Sequence, residues 1–174
     1  MILEYPKRKR LRLPEYDYSQ NGAYFITICT QNRETLFGDV GADSISARMI
    51  SDIFEKTISD YEDINCPIFV VMPNHFHAII TIEKDYCQNG FERADIESAP
   101  TISEIVQTFK RRSTIEYIKL VKQGLAQPFD KKVWQRSYHD HIIRNEKDFR
   151  MIRKYIDENP ITWENDCFYV RRDQ

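Results

Sequence analysis

The 174-residue chain reads as an α+β fold, and three observations predict it. Short runs rich in β-branched and aromatic residues alternate with longer segments whose apolar residues recur at helical spacing. Turn and breaker residues, Pro73-Asn74, Gly124 and Pro160, fall at the junctions between these segments. The resulting order, β-α-β-β-α-β-α, joins strands by a hairpin and by helical crossovers.

Taken in order, GAYFITICT at residues 22–30 is a buried strand, and QNRETLFGD supplies a turn-rich exit. Ile45, Met49, Ile53 and Ile58 then repeat at helical spacing, so a helix lies between Ser44 and Tyr61 with Ser44 placed to cap it. INCPIFVVM and HFHAIITIE, separated by Pro73-Asn74, form an antiparallel hairpin. Residues 84–100 are a polar, acidic loop containing Asn89-Gly90. Ile102, Ile105, Val106, Phe109 and Ile115 define a second helix from about Thr101 to Val121, ending before Gly124. VWQRSYHDHIIR at 133–144 has strand character, and Asn145 caps a last helix that Pro160 stops. The first six elements follow the ferredoxin-like βαββαβ plan, with two helices on one face of an antiparallel sheet and a C-terminal helix added.

Length suits one domain over residues 1–174, opened by a basic arm over 1–21. Nothing approaches the roughly 20 apolar residues of a membrane helix. The N-terminus lacks a secretory core and cleavage site, so the expected location is cytoplasmic, with no membrane partner. Cys29, Cys66, Cys87 and Cys167 form no Cys-x-x-Cys pair, which argues against a disulfide framework or a cysteine zinc site. Net charge is only −2, but its distribution is uneven. Lys7, Arg8, Lys9, Arg10 and Arg12 crowd the arm, and Lys110, Arg111 and Arg112 form a second cluster. Each cluster is either a solvated face or a phosphate grip.

Candidate chemistry centres on VVMPNHFHAIITI, residues 70–82. Strand side chains alternate, so His75 and His77 share one face and Phe76 takes the other. Neighbouring neutral imidazoles can bind one divalent metal, or can sit buried and hydrogen-bonded. Near the C-terminus, Tyr155 and Asn159 are four residues apart on the last helix and so share a face. A phenol with an ordinary pKa of about 10 is protonated near neutrality, so phosphoryl attack by it calls for a metal. Trp134 and Trp163 read as packing anchors.

Four segments together resemble the single-tyrosine HUH transposases, and within them the REP-associated tyrosine transposases. They are YDYSQNGAYFITICTQNRETLFG (16–38), VVMPNHFHAII (70–80), VWQRSYHDHIIRNEKDFR (133–150) and YIDENP (155–160). The resemblance implies a ferredoxin-like fold, His75 and His77 as metal ligands, Asn159 as a third ligand and Tyr155 as nucleophile. It implies cleavage and rejoining of single-stranded DNA through a 5′-phosphotyrosine link. Magnesium or manganese is the implied cofactor. The implied DNA is a hairpin with a single-stranded flank, gripped by the two basic clusters, and the protein is a monomer or homodimer. His139, Asp140 and His141 lie close in sequence to the implied site, with an auxiliary or a structural role.

Two other classes use the same residues differently. A ferredoxin-like RNA-binding module would stack bases on sheet aromatics such as Tyr24 and Phe25, but would leave the histidine pair without a purpose. A zinc-dependent hydrolase would gather His75, His77, His139 and His141 at one metal.

Overall fold

A computed structural model describes residues 16–40, 44–84 and 100–170. Its regular elements are β1 (Gly22–Cys29), α1 (Ile45–Ser59), β2 (Ile64–Met72), β3 (His75–Ile82), α2 (Ile102–Lys122), β4 (His139–Ile143) and α3 (Glu146–Glu158). Short 3-10 turns occupy Gln31–Arg33 and Trp163–Asn165. The strands form one antiparallel sheet in the order β2-β3-β1-β4. This is the ferredoxin-like plan read from the sequence.

Each helix begins where its cap residue dictates. Ser44 Oγ accepts from Ala47 N–H at α1. Thr101 and Glu104 make a reciprocal capping box at α2, and Asn145 Oδ1 accepts from Asp148 N–H at α3. These bonds satisfy donors that a helix start would otherwise leave unpaired. On the outer strand β2, the register shifts between Asn65 and Ile68. Pro67, which has no N–H to give to a ladder, sits in that interval.

The sheet buries both faces. Ile26, Ile28, Phe76, Ala78 and Ile80 join Phe54 of α1 and Phe109 of α2 in the main core. On the opposite face Ile79 and Ile143 pack against Ile156 of α3. Strand alternation therefore sends Phe76 toward α1 and α2, and His75 and His77 toward the α3 side.

The last strand is shorter than the sequence pattern suggests. From Val133 to Tyr138 the backbone meets the end of β1 and the residues after it through the bond from Gln31 N–H to Val133 O (2.8 Å), a Thr30–Trp134 bridge and the bond from Gln135 N–H to Cys29 O (2.9 Å). The carbonyls of Gln135 and Ser137 instead accept from Lys110 Nζ, each at 2.9 Å. Trp134 turns into the core, its indole N–H donating to Ser113 Oγ at 2.9 Å. Tertiary anchoring by α2 replaces ladder pairing there.

Candidate active site

The site forms where the start of β3, the end of α3 and the turn after it converge. His75 and His77 are buried, their ring centroids 4.5 Å apart. Asn74, the hairpin residue before them, is also buried. Its amide donates to the carbonyls of Arg33 (3.2 Å) and Phe168 (2.9 Å), which fixes Oδ1 toward His75 Nδ1 at 2.9 Å. An amide oxygen only accepts, so His75 carries its proton on Nδ1 and presents a lone pair at Nε2. That Nε2 is buried and has no hydrogen-bond partner among the described residues. His77 Nδ1 bonds Thr27 Oγ1 on β1 at 2.8 Å. Its Nε2 faces the Tyr155 hydroxyl at 3.3 Å.

Burial pushes His75 down to about 4 and His77, also repelled by His75, down to about 3. Both imidazoles are therefore neutral at pH 7, the form in which histidine ligates metals. Tyr155 is 39% exposed. Its ring lies edge-on to Phe25 (6.1 Å), and its hydroxyl donates to Asp166 Oδ2 at 2.9 Å. Burial, the hydrogen bond to Asp166 and that carboxylate's charge raise the phenol above its ordinary value. Asn159 closes α3 and is fully buried. Its Nδ2 donates to the same Asp166 oxygen at 2.5 Å, and its Oδ1 has no partner among the described residues.

Asp166 is the group that sequence reasoning missed. It follows the second 3-10 turn, and its Oδ1 accepts from Phe168 N–H at 2.7 Å. Burial acts to raise its carboxyl, but bonds from Phe168 N–H, Asn159 and Tyr155 outweigh that and hold it below the ordinary carboxylate value. Phe168 packs on His75 at 4.7 Å, and Trp163 faces the same imidazole at 5.6 Å. Arg33 places its guanidinium over Phe168 at 5.3 Å and donates to Cys167 O at 3.2 Å. The segment carrying Asp166 is thus tied down on both sides.

Ligand atoms of His75, His77 and Asp166 lie within 4.8 Å of one another. The residues present fit a metal ion: neutral imidazoles, an ionised carboxylate, and two buried polar atoms lacking partners. Four histidines are not gathered. His139 pairs with Thr27, which lies between it and His77 across the sheet. Adjacent strands being about 4.8 Å apart, two strand spacings put it roughly 10 Å away. His141 Nε2 instead bonds Asp148 Oδ2 at 2.9 Å, tying β4 to the first turn of α3. The all-histidine zinc arrangement is thereby set aside.

The basic clusters are not brought to this site by anything described. Lys7, Arg8, Lys9, Arg10 and Arg12 lie outside the described residues. Lys110, Arg111 and Arg112 belong to α2, which covers the other sheet face. Lys110 is bound to two carbonyls, and Arg112 pairs with Asp60. Arg111 is the exposed member.

The family model for IS200-like transposases matches residues 94–159, a span that includes Tyr155 and Asn159. An uncharacterized protein of Haemophilus influenzae is 35% identical over 175 residues, covering 94% of this chain and 93% of its own. The chain belongs to the IS200-like transposase family. As a family member it also shares its fold with a solved REP-associated tyrosine transposase bound to a REP hairpin. That likeness has a TM-score of 0.56 at 24% identity and covers 87% of this chain and 74% of the other. Among the described residues, no helix is long and apolar enough to cross a membrane.

Proposed function

We propose that this family member is a metal-dependent enzyme that cleaves and rejoins single-stranded DNA through a 5′-phosphotyrosine intermediate. The observation that carries this reading is the placement of the half-exposed Tyr155 hydroxyl 3.3 Å from His77 Nε2. The unpartnered His75 Nε2 and Asn159 Oδ1 belong to the same cluster. His75, His77 and Asn159 are the residues that hold the metal, magnesium or manganese. When bound, it supplies Lewis-acid stabilisation of charge on the phosphate.

The chain's own residues do the rest. Tyr155 supplies the nucleophilic oxygen. It forms a bond to phosphorus as the P–O3′ bond breaks, leaving a 3′-hydroxyl on the released fragment. Attack by another 3′-hydroxyl reverses the step and frees the tyrosine, so no nucleotide cofactor is consumed. The Tyr155 proton already points to Asp166 Oδ2. Thr27 and Asn74 hold the two imidazoles by their Nδ1 atoms, which leaves both Nε2 atoms turned inward.

The preferred DNA is a hairpin with a single-stranded flank, a reading supported by the relative bound to a REP hairpin. Phosphate contacts fall to Lys7, Arg8, Lys9, Arg10 and Arg12 of the arm and to Arg111. Lys110 and Arg112 are reassigned to structure, because their charges are already engaged within the protein. The protein acts in the cytoplasm as a monomer or homodimer.

Labelled hairpin DNA incubated with protein and manganese tests the reading on a denaturing gel. A covalent adduct is expected from the wild type and not from Tyr155→Phe. Tyr138 is a control, because it is buried in the main core on the other sheet face. An adduct that survives Tyr155→Phe overturns the assignment.

A further inference from the structure

We infer that Asp166 is an anionic ligand of the metal centre, making it a site of two histidines, one amide and one carboxylate that prefers manganese to magnesium. The inference rests on the metal-dependent reading above and adds a residue from outside β3 and α3.

Charge is the first argument. Two neutral imidazoles and an amide bring no negative charge to a dication in a buried pocket, and taking an ion out of water without compensation is costly. Asp166 is the carboxylate among the described residues whose oxygen lies within 4.8 Å of ligand atoms on both His75 and His77. That limit is slightly wider than one ion spans, since ligands about 2.1–2.2 Å from a metal stand up to roughly 4.4 Å apart when opposite one another, so the ligands must close in. Only small side-chain adjustments are needed.

Hydrogen-bonding capacity is the second argument. A carboxylate offers about four lone-pair sites. Three are used, by Phe168 N–H, Tyr155 Oη and Asn159 Nδ2, and the Tyr155 site is vacated when its oxygen turns to phosphorus. Asp166 can therefore turn an oxygen to the ion and still keep its backbone anchor. That anchor matters, because Phe168 packs on His75, so one short segment sets both the carboxylate and the imidazole.

The donor set points to the metal. Magnesium favours an all-oxygen, near-octahedral shell, whereas imidazole with carboxylate suits later divalent ions. Two imidazole nitrogens beside the amide and carboxylate oxygens place this centre on the manganese side.

The test titrates metal-free, full-length protein with Mn²⁺ and reads free Mn²⁺ by electron paramagnetic resonance. Asp166→Asn is expected to weaken manganese binding by about tenfold or more. Tyr155→Phe, which removes a hydrogen bond to the same carboxylate but no charge, is expected to stay within about twofold of wild type. On the wild type alone, Mg²⁺ should be needed at about tenfold or greater excess to displace Mn²⁺. The inference is overturned if Asp166→Asn binds manganese like the wild type while His75→Ala does not. Equal affinity of the wild type for the two metals overturns it as well. If the wild type binds no manganese, or His75→Ala binds it as the wild type does, the metal-dependent reading itself fails. Thermal melting of each variant checks folding, and the wild-type competition stands even if Asp166→Asn does not fold.

Discussion

Replacing Ile156 by alanine should disable the enzyme by loosening one helix. Helix α3 carries Tyr155 and is capped by Asn159, and Ile156 is the buried apolar residue that docks it on the sheet, where it meets Ile79 and Ile143. Phe149 and Ile152 assist but remain partly exposed. Cutting a buried isoleucine to alanine costs about 2–5 kcal/mol through lost transfer energy and the cavity left behind. The main core of Phe54, Phe76 and Phe109 lies on the other face and is untouched, so the cost falls on docking of α3. At about 3 kcal/mol the undocked population rises roughly hundredfold, with 1.4 kcal/mol per factor of ten. Native-state hydrogen exchange should show faster exchange in α3 amides than in β1 and β3, together with slower adduct formation. Equal loss of protection in α3 and the central strands, or an unchanged adduct rate, would refute the reasoning.

Acidification of the metal-free protein should weaken it well above the range where carboxylates titrate. His75 and His77 are held down to about 4 and about 3 against an ordinary 6.5. The unfolded chain therefore takes up protons that the native state refuses. Stability should be complete above about pH 6.5 and decline as pH falls toward 4 and then 3. The loss by pH 5 is on the order of a few kcal/mol, at about 1.4 kcal/mol per pKa unit for each histidine. Urea midpoints at pH 7 and pH 5 measure this, and identical midpoints would contradict it. Deleting residues 1–12 should reduce the slope of log affinity against log salt by roughly 0.7 per lost contact on a single strand or 0.9 on a duplex stem. Arg111→Glu should reduce it less, and Lys110→Ala should lower stability rather than the salt slope. An unchanged slope after the deletion would make the arm a passive tail.

Much of this was legible from local signals that tertiary structure had no reason to override. Ser44, Thr101 and Asn145 cap the helices they precede, and Pro73-Asn74 turns the hairpin, because these residues act through bonds a few positions away. The shared face of His75 and His77 follows from strand alternation alone. The end of Val133–Tyr138 as a strand did not, since it depends on Lys110 capturing carbonyls 25 and 27 residues away. Asp166 was invisible for a related reason. It lies past Pro160 in a turn without periodicity, and nothing local ties a lone aspartate to histidines some 90 positions earlier. Asn74 was read only as a turn residue, although its side chain fixes the proton on His75. Clustering of Lys110, Arg111 and Arg112 in sequence did not say which sheet face α2 covers, nor that Lys110 and Arg112 are engaged by carbonyls and by Asp60.

The most direct test of the central claim is mass spectrometry of the covalent product. Wild-type protein reacted with a labelled hairpin substrate and manganese is digested with protease and nuclease, and the peptide bearing the residual nucleotide is sequenced. The account predicts one modified residue, Tyr155, linked to a 5′-phosphate, with a free 3′-hydroxyl on the released strand. A nucleotide on any other residue, or a 3′-phosphate linkage, would contradict it.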